Sequence, residues 1–365
     1  MKVFTKVFNS LRNFDWLILA LVLVLVAIGS ASIYSIDLSR GQELIFFPTQ
    51  MLALGLGLVL FFLASFFHSS FYRSSAKLIY LASLVLLITV LFFGTTIRGT
   101  TGWFRFGNFS FQPAEFAKIG LIVFLAWWTT KQARRFDRWQ FVLTSGFFTF
   151  LLATLIILQP DLGSAVVLIG IWFGLLFLTG TKKRYIFLLL TIFVIIFLTS
   201  WLFLFQNYQK ERLLTFFDPA RDPLGAGYNV TQSVIAIGSG NFFGRGLGFG
   251  SQSQLHFLPE AQTDFIFSVI SEELGFVGAF LVLGIYFLLL WRLYHIARGK
   301  QDDFSVYLIL GILLMYFIQL LVNVGGATGL LPVTGVTLPF LSYGGSSLLI
   351  NFLLLGIAES VARSN

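Results

Sequence analysis

Long uncharged apolar runs separated by short polar segments make up most of this chain. Each run is long enough to cross the ~30 Å hydrocarbon core of a bilayer as an α-helix. The clearest runs are 16–36, 44–67, 78–97, 139–160, 162–181 and 185–209. The pattern therefore predicts an all-α polytopic membrane protein.

The remaining apolar segments complete this prediction. Residues 304–358 carry no charge, but 325–339 are rich in Gly and Pro, so we predict two helices joined by a loop. Two further spans, near 113–130 and 264–291, carry charged residues inside them. We expect about ten transmembrane helices in one domain over 1–365. A large folded extracellular loop over 206–262 follows the seventh helix, with helical spacing at 229–238.

Composition narrows the function classes. With 57% hydrophobic and 11% charged residues, the chain does not resemble a soluble domain. It has no Cys, which excludes a disulfide framework. Its three His are scattered and do not have the spacing of metal ligands. Sixteen of the 24 Lys and Arg fall on the side that holds both termini. The +8 net charge therefore reflects membrane topology rather than nucleic-acid binding, and its distribution predicts cytoplasmic termini.

The first candidate site lies in 258–275, where a polar loop becomes a membrane-spanning helix. An acidic residue at membrane depth costs about 2.5–3.5 kcal/mol on insertion scales, so its default interpretation is functional. Asp264, Ser268 and Glu272 are spaced four apart and would stack on one face if the helix began near Thr263. Such a column would suit a proton-handling site. The alternative is a set of buried acids that pair with basic groups and only hold helices together.

A second charged site begins the fourth span. Pro113 suits the first helical position, and Glu115 and Lys118 are three apart on one face. They could be a structural ion pair, or they could line one cavity with Asp264, where Lys118 would meet phosphate or tune a carboxylate. Nearby cations and an interfacial aromatic are Arg98, Arg105 and Trp103.

Several long segments together resemble the SEDS family (RodA, FtsW and SpoVE), membrane glycosyltransferases of cell shape, division and sporulation that polymerise peptidoglycan. The matching segments, spread over essentially the whole chain, are 111–118, 218–228, 232–233, 238–240, 251–260, 263–267, 329–335 and 342–347. One departure concerns the residue before Trp103, which is usually basic in the family and is Gly102 here.

The resemblance implies an inverting enzyme that joins lipid II disaccharides into β-1,4 glycan strands, with Asp264 as the catalytic residue. Asp264 would act as general base toward the acceptor hydroxyl. The leaving diphosphate needs cationic stabilisation. Candidate diphosphate-binding residues are Lys118, Arg98, Arg212 and Arg245, with Glu115 orienting Lys118 and Trp103 nearby. Supporting roles fall to Glu260, Ser268 and Glu272.

The resemblance also implies partners and a location. Expected partners are lipid II, the growing glycan strand, membrane lipids and a class B penicillin-binding protein within an elongation or division complex. The protein would lie in the bacterial cytoplasmic membrane with its active site outside. The sequence contains no recognisable metal-binding motif, so a divalent cation (Mg²⁺ or Mn²⁺) would be held largely by the substrate diphosphate.

The motif details favour the elongation (RodA-type) branch. Segments 222–228, 238–240 and 251–255 resemble that branch, whereas 259–261 lean toward the division (FtsW-type) branch. A lipid II flippase and a scaffold without activity are the rival classes. A flippase needs a polar route that reaches both faces of the membrane, whereas the distinctive polar residues here are expected mainly on the outer side.

Overall fold

The computed structural model describes residues 14–41, 44–97, 99–107, 109–132, 136, 138–204, 210, 214–218, 221 and 225–364. Within this part of the chain, ten helices have 17 residues or more, which confirms the all-α membrane architecture. They are α1 (Trp16–Ser39), α2 (Phe46–Phe66), α3 (Ser69–Phe93), α4 (Pro113–Lys131), α5 (Trp139–Ile157), α6 (Leu162–Leu178), α7 (Lys183–Thr199), α10 (Ile266–Arg298), α11 (Asp303–Ala327) and α12 (Gly345–Arg363).

Seven of these helices are long and apolar enough to cross a membrane: α1, α2, α3, α5, α10, α11 and α12. The other three are shorter or carry charge. Two short helices, α8 (Ala226–Ser239) and α9 (Ser251–Gln254), lie in the long loop between α7 and α10, and a π-helical turn at Ser200–Leu204 follows α7. The helix predicted over 229–238 is thus present and slightly longer.

A small antiparallel sheet between α3 and α4 is absent from the sequence prediction. Its strands are β1 (Thr95–Ile97), β2 (Thr100–Phe106) and β3 (Phe109–Phe111), in the order β1-β2-β3. Two of the strands are three residues long, too short for a period-two pattern to stand out. The sheet leads the chain from the end of α3 into the start of α4.

Ionic contacts gather at one end of the bundle. Arg292 Nε lies 2.6 Å from Asp15 Oδ2, which joins the last part of α10 to the residue before α1. Arg73 and Asp302 are 3.5 Å apart, and Lys300 Nζ donates to Ala362 O at 3.0 Å. The starts of α1, α3 and α11 therefore lie with the ends of α10 and α12.

The opposite end brings together the starts of α4, α6 and α12. Gln112 donates from Nε2 to Asp161 Oδ2 at 2.9 Å and from its backbone N–H to Ser346 Oγ at 3.2 Å. Asp161 also caps α6 by accepting from the backbone N–H of Ser164 at 2.9 Å. This end holds the candidate site.

The predicted Gly- and Pro-rich loop between α11 and α12 folds back into the bundle. Leu338 is 1% exposed and Leu341 is fully buried. The Tyr286 hydroxyl donates to Pro339 O, and Ser342 Oγ donates to Thr263 O at 2.7 Å. Irregular backbone at membrane depth is tolerated where it is buried in protein. The loop therefore supplies one wall beside Asp264.

Candidate functional site

Asp264 lies in a turn that immediately precedes α10. The turn is closed by the backbone N–H groups of Thr263 and Phe265, which donate to Glu260 O at 3.1 and 3.4 Å. Glu260 has a left-handed backbone with φ of 52°, and it also accepts from Thr263 Oγ1 through its carboxylate at 3.1 Å. Glu260 therefore shapes the turn that carries Asp264.

The carboxylate of Asp264 is half-buried and faces a small cavity. The cavity lies between α11 and the loop that follows it, and it is lined by Asp264, Val322, Asn323, Gly326, Ala327, Val333, Thr334, Gly335 and Val336. Most of the lining is apolar or backbone. Asp264, Asn323 and Thr334 supply its polar side chains, so a ligand here would meet one carboxylate and neutral groups.

Asn323 lies at this cavity and was not among the residues that the sequence singled out. Its Nδ2 donates to Asp264 O at 3.0 Å and to Val336 O at 2.8 Å. It therefore ties the turn before α10 to the loop after α11. Its Oδ1 is buried and has no hydrogen-bond partner in the described part of the chain. A neutral polar residue within an otherwise apolar span was the available signal.

The carboxylate column predicted for Asp264, Ser268 and Glu272 does not form as a unit. The helix begins at Ile266 rather than near Thr263. The Ser268 N–H, which would donate to Asp264 O in a helix that began earlier, donates to Phe265 O at 2.9 Å, and Asp264 O accepts from Asn323. Asp264 therefore precedes the helix, and the other two side chains meet different neighbours.

Ser268 and Glu272 both hold the long loop between α7 and α10. Ser268 Oγ shares a 2.6 Å hydrogen bond with Ser233 Oγ of α8. Glu272 is fully buried, and its two oxygens accept from the backbone N–H groups of Gln252 at 2.8 Å and Ser253 at 3.1 Å. These donors lie in α9, where a carboxylate suits the unpaired N–H groups of a helix start.

Glu273 makes a second attachment of the same kind. It is fully buried, and its Oε1 accepts from the Gly248 N–H at 3.0 Å, from Gln254 Nε2 at 3.3 Å and from the Ser35 hydroxyl. Sequence reasoning did not assign it a role. The two adjacent acids thus fix the loop to α10 through backbone, amide and hydroxyl donors, rather than through the basic partners of the helix-holding alternative.

Glu115 and Lys118 form a buried ion pair in the first turns of α4. Lys118 Nζ lies 2.6 Å from Glu115 Oε1, with residue exposures of 2% and 5%. Among the described residues, Glu115 is the hydrogen-bond partner found for Lys118. An ammonium group carries three donors, so two remain for a ligand. The predicted orientation of Lys118 by Glu115 fits this geometry.

The other candidate cations stand apart from the cavity or outside the described residues. Arg245 is exposed; its Nε donates to Ser239 O at 3.2 Å, and its backbone N–H donates to Glu272 O at 3.0 Å. Arg98 and Arg212 lie outside the described residues. Their proposed contacts with diphosphate, and that of Arg245, stay predictions.

Trp103 is half-buried in β2, where its carbonyl accepts from Thr95 Oγ1 at 3.1 Å. The preceding Gly102 is buried, and a Cβ added there would lie 2.9 Å from Gln159 Oε1. Gln159 is fully buried, and that oxygen has no partner in the described part of the chain. The position that usually carries a basic residue therefore faces an amide oxygen.

Within the residues that the structure describes, no three His, Cys, Asp or Glu side chains approach closely enough to hold a metal ion. Asp264 is the carboxylate that lines the cavity. A hard cation bound there would therefore need most of its oxygen ligands from elsewhere, as Mg²⁺ does when it binds through one carboxylate and substrate phosphates.

The fold and the site define a multi-pass membrane protein with an acidic turn and a buried ion pair at one end of the bundle. The family model FTSW_RODA_SPOVE, described as "Cell cycle protein", matches residues 12–365. This chain belongs to that family, the SEDS proteins.

Relatives from three branches of the family are similar at nearly the same level. Stage V sporulation protein E of Bacillus subtilis is 37% identical over 96% of this chain and 97% of its own. The probable peptidoglycan glycosyltransferase FtsW of Trichlorobacter lovleyi is 36% identical, covering 99% and 96%. The peptidoglycan glycosyltransferase MrdB of Escherichia coli is 35% identical, covering 98% and 95%.

Two solved structures share the fold. One is described as "Structural coordination of polymerization and crosslinking by a peptidoglycan synthase complex"; it matches with a TM-score of 0.81 and 36% identity over 96% of this chain and 98% of that one. The rod shape determining protein RodA of Thermus thermophilus matches with a TM-score of 0.71 and 32% identity, covering 96% and 97%.

Proposed function

We propose that this protein is a peptidoglycan glycosyltransferase that joins lipid II disaccharide units into β-1,4 glycan strands. The observation that carries the proposal is the Asp264 carboxylate, half-buried in a cavity at the end of a bundle shared with relatives named for this activity. Asn323 and the returning loop hold the backbone of Asp264 in place, which gives the preorganised geometry that catalysis requires.

In the proposed reaction, the 4-hydroxyl of the acceptor GlcNAc attacks the anomeric carbon of the donor. The new carbon–oxygen bond forms as the bond to the undecaprenyl diphosphate breaks, so an α-linked donor gives a β-linked product. Asp264 accepts the hydroxyl proton and later returns it to water. A positioned general base typically contributes about 10²- to 10⁴-fold.

The leaving diphosphate takes up the bonding electrons and needs positive charge nearby. Lys118 is the described cation best prepared for this, because it is buried, is oriented by Glu115 and retains two donors. Arg98, Arg212 and Arg245 are further candidates. A divalent cation held largely by the diphosphate oxygens and water would supply additional charge neutralisation.

We place the reaction at the outer leaflet, with both termini in the cytoplasm. The positive-inside rule supports this orientation, because Arg73, Arg292 and Lys300 lie at the end opposite the Asp264 turn. We also propose a class B penicillin-binding protein as partner. The description of one structural relative as part of a peptidoglycan synthase complex supports it.

We assign the protein to cell elongation because of the motifs at 222–228, 238–240 and 251–255. Identities of 37%, 36% and 35% to relatives of three branches do not separate sporulation, division and elongation. Complementation of strains depleted of either the elongation or the division enzyme tests the assignment. Rescue of division alone would overturn it.

The central experiment measures glycan strands formed from purified lipid II by the reconstituted protein, with and without a class B penicillin-binding protein. Asp264→Asn should lower polymer formation by at least about 100-fold while the protein remains folded and inserted. Asp302→Asn is a matched control, because Asp302 lies at the other end of the bundle and Asn also caps helices well.

Normal polymer formation by Asp264→Asn would remove Asp264 from the mechanism. If folded wild-type protein makes no polymer under any condition but moves lipid II between leaflets, the flippase alternative replaces the proposal.

A further inference from the structure

Gln319 is a buried amide in the middle of α11, and it has no role in the mechanism proposed above. Its residue exposure is 0%. Neither Nε2 nor Oε1 has a hydrogen-bond partner in the described part of the chain. Burying an amide without partners is costly, and such a group in a folded protein calls for an explanation.

Gln319 lies on the stripe of α11 that leads to the Asp264 cavity. Val322, Asn323 and Gly326 line that cavity, and they follow Gln319 at helical spacings of three, four and seven residues. Asn323 Oδ1 and Thr334 Oγ1 are also buried and have no partner among the described residues. Unsatisfied polar atoms therefore continue from the cavity to Gln319.

The direction of α4 relative to α11 follows from close contacts at small residues. A Cβ added to Gly170 would touch Ile318, and one added to Gly174 would touch Leu314, so α6 runs antiparallel to α11. Because α4 and α6 begin side by side at the Gln112–Asp161 hydrogen bond, α4 also runs antiparallel to α11.

The ion pair of α4 lies on the face that meets α11. Ile122 packs against Gly311, and Lys118 and Glu115 are four and seven residues from Ile122 on the same stripe. Glu115 is seven residues from this contact and Gln319 is eight residues from it, in the same direction along the bundle. Their levels thus differ by about 1.5 Å, one residue rise.

We propose that Gln319 is a substrate-positioning residue that lies between the Glu115–Lys118 pair and the Asp264 cavity and binds a hydroxyl or acetamido group of the lipid-linked sugar. An amide offers two donors and an acceptor, which complement both groups. Lys118 would meet the diphosphate on one side, and Asp264 the reacting hydroxyl on the other. The inference rests on the proposed function.

The test uses Gln319→Met, which keeps most of the side-chain volume and removes the amide. Because the amide has no partner to lose, the Tm should stay at the wild-type value or rise. The KM for lipid II should increase about 2- to 10-fold, the usual worth of one hydrogen bond, with a smaller change in kcat. The stabilisation of the protein by added lipid II should fall in parallel.

Gln50→Met is the matched control, because Gln50 is equally buried but fully engaged. Its Nε2 donates to Ser342 O at 3.2 Å, and its Oε1 accepts from the Gly344 N–H at 3.3 Å. Removing this amide leaves the Ser342 carbonyl and the Gly344 N–H without this hydrogen-bond partner, so the Tm should fall. The two Gln→Met variants should therefore shift the Tm differently.

Two results would overturn the role of Gln319: an unchanged KM in Gln319→Met, or a Tm loss like that of Gln50→Met. Failure of the proposed function would look different. Wild-type protein would then make no polymer, although lipid II could still raise its Tm, and loss of that shift in Gln319→Met would support binding without polymerisation.

Discussion

Asn323 joins two backbone segments that flank the candidate catalytic carboxylate. Its Nδ2 donates both to Asp264 O at 3.0 Å and to Val336 O at 2.8 Å. One side chain of α11 thereby sets the distance between the turn before α10 and the loop before α12. The position of Asp264 depends on this bridge because its turn lies outside the regular helix.

Asn323→Ala should lower kcat by about 10- to 100-fold, because displacing a catalytic group by about 1 Å can cost that much. The Tm should also fall, since two backbone carbonyls lose their donor. Polymer formation is measured well below the Tm. Tyr316→Phe is the control in the same helix, because it removes only the 2.9 Å hydrogen bond to Asn351 O. Full activity in Asn323→Ala would contradict the bridging role.

Variants of the Glu115–Lys118 pair should affect protein stability and polymerase activity differently. Lys118→Met leaves the buried Glu115 carboxylate without its counter-charge, and Glu115→Gln leaves the buried Lys118 ammonium without its own. Each single change typically costs about 3–5 kcal/mol of stability. The double variant Glu115→Gln/Lys118→Met removes both charges and should recover much of the lost Tm.

If Lys118 binds diphosphate, the double variant should stay inactive in lipid II polymerisation despite its recovered stability. Recovery of both stability and activity would show that the pair is only a structural tie between helices. A double-mutant cycle on Tm and on kcat/KM together distinguishes the two roles.

Charge at membrane depth is the feature that made part of the site predictable. Asp264, Glu115 and Lys118 stand out because a charged residue in an apolar span is costly and rarely incidental. Pro113 marked the start of α4, and the Gly- and Pro-rich segment 325–339 marked the break between α11 and α12. These signals depend on local composition, which the sequence contains in full.

The remaining parts depend on packing between distant segments. Asn323 and Gln319 stand out as polar residues in an apolar span, but nothing local reveals which segments or cavity they face. The turn before Ile266 is held by a hydrogen bond from Asn323, 59 residues away. Asp264 and Glu272 look alike in sequence, yet one faces a cavity and the other a short helix.

The two acids that hold the long loop between α7 and α10 should respond differently to neutralisation. Glu272 uses both carboxylate oxygens, which accept from Gln252 and Ser253, so Glu272→Gln must lose one acceptor. Glu273 uses Oε1 alone, and its Oε2 has no partner within the described residues. Hydrogen exchange over 244–254 should rise in Glu272→Gln and change less in Glu273→Gln. Equal exchange in the two variants would contradict this assignment.

Gly275 allows α10 to break beside the long loop between α7 and α10. Its backbone has φ of 67° and ψ of −164°, a region essentially restricted to glycine. The break frees the Phe276 and Val277 N–H groups to donate to Asn241 O at 2.9 Å and Phe242 O at 3.1 Å. A Cβ at Gly275 would also collide with the backbone N of Gly244.

Gly275→Ala should therefore lower stability by at least about 1–3 kcal/mol from backbone strain alone, and polymer formation should fall as the loop loosens. Gly284→Ala in the same helix is the control, because a Cβ there meets nothing within 4 Å and Ala favours helix by up to about 1 kcal/mol. The measurement is the Tm of both purified variants. A Gly275→Ala protein as stable as Gly284→Ala would mean that the loop does not require the break.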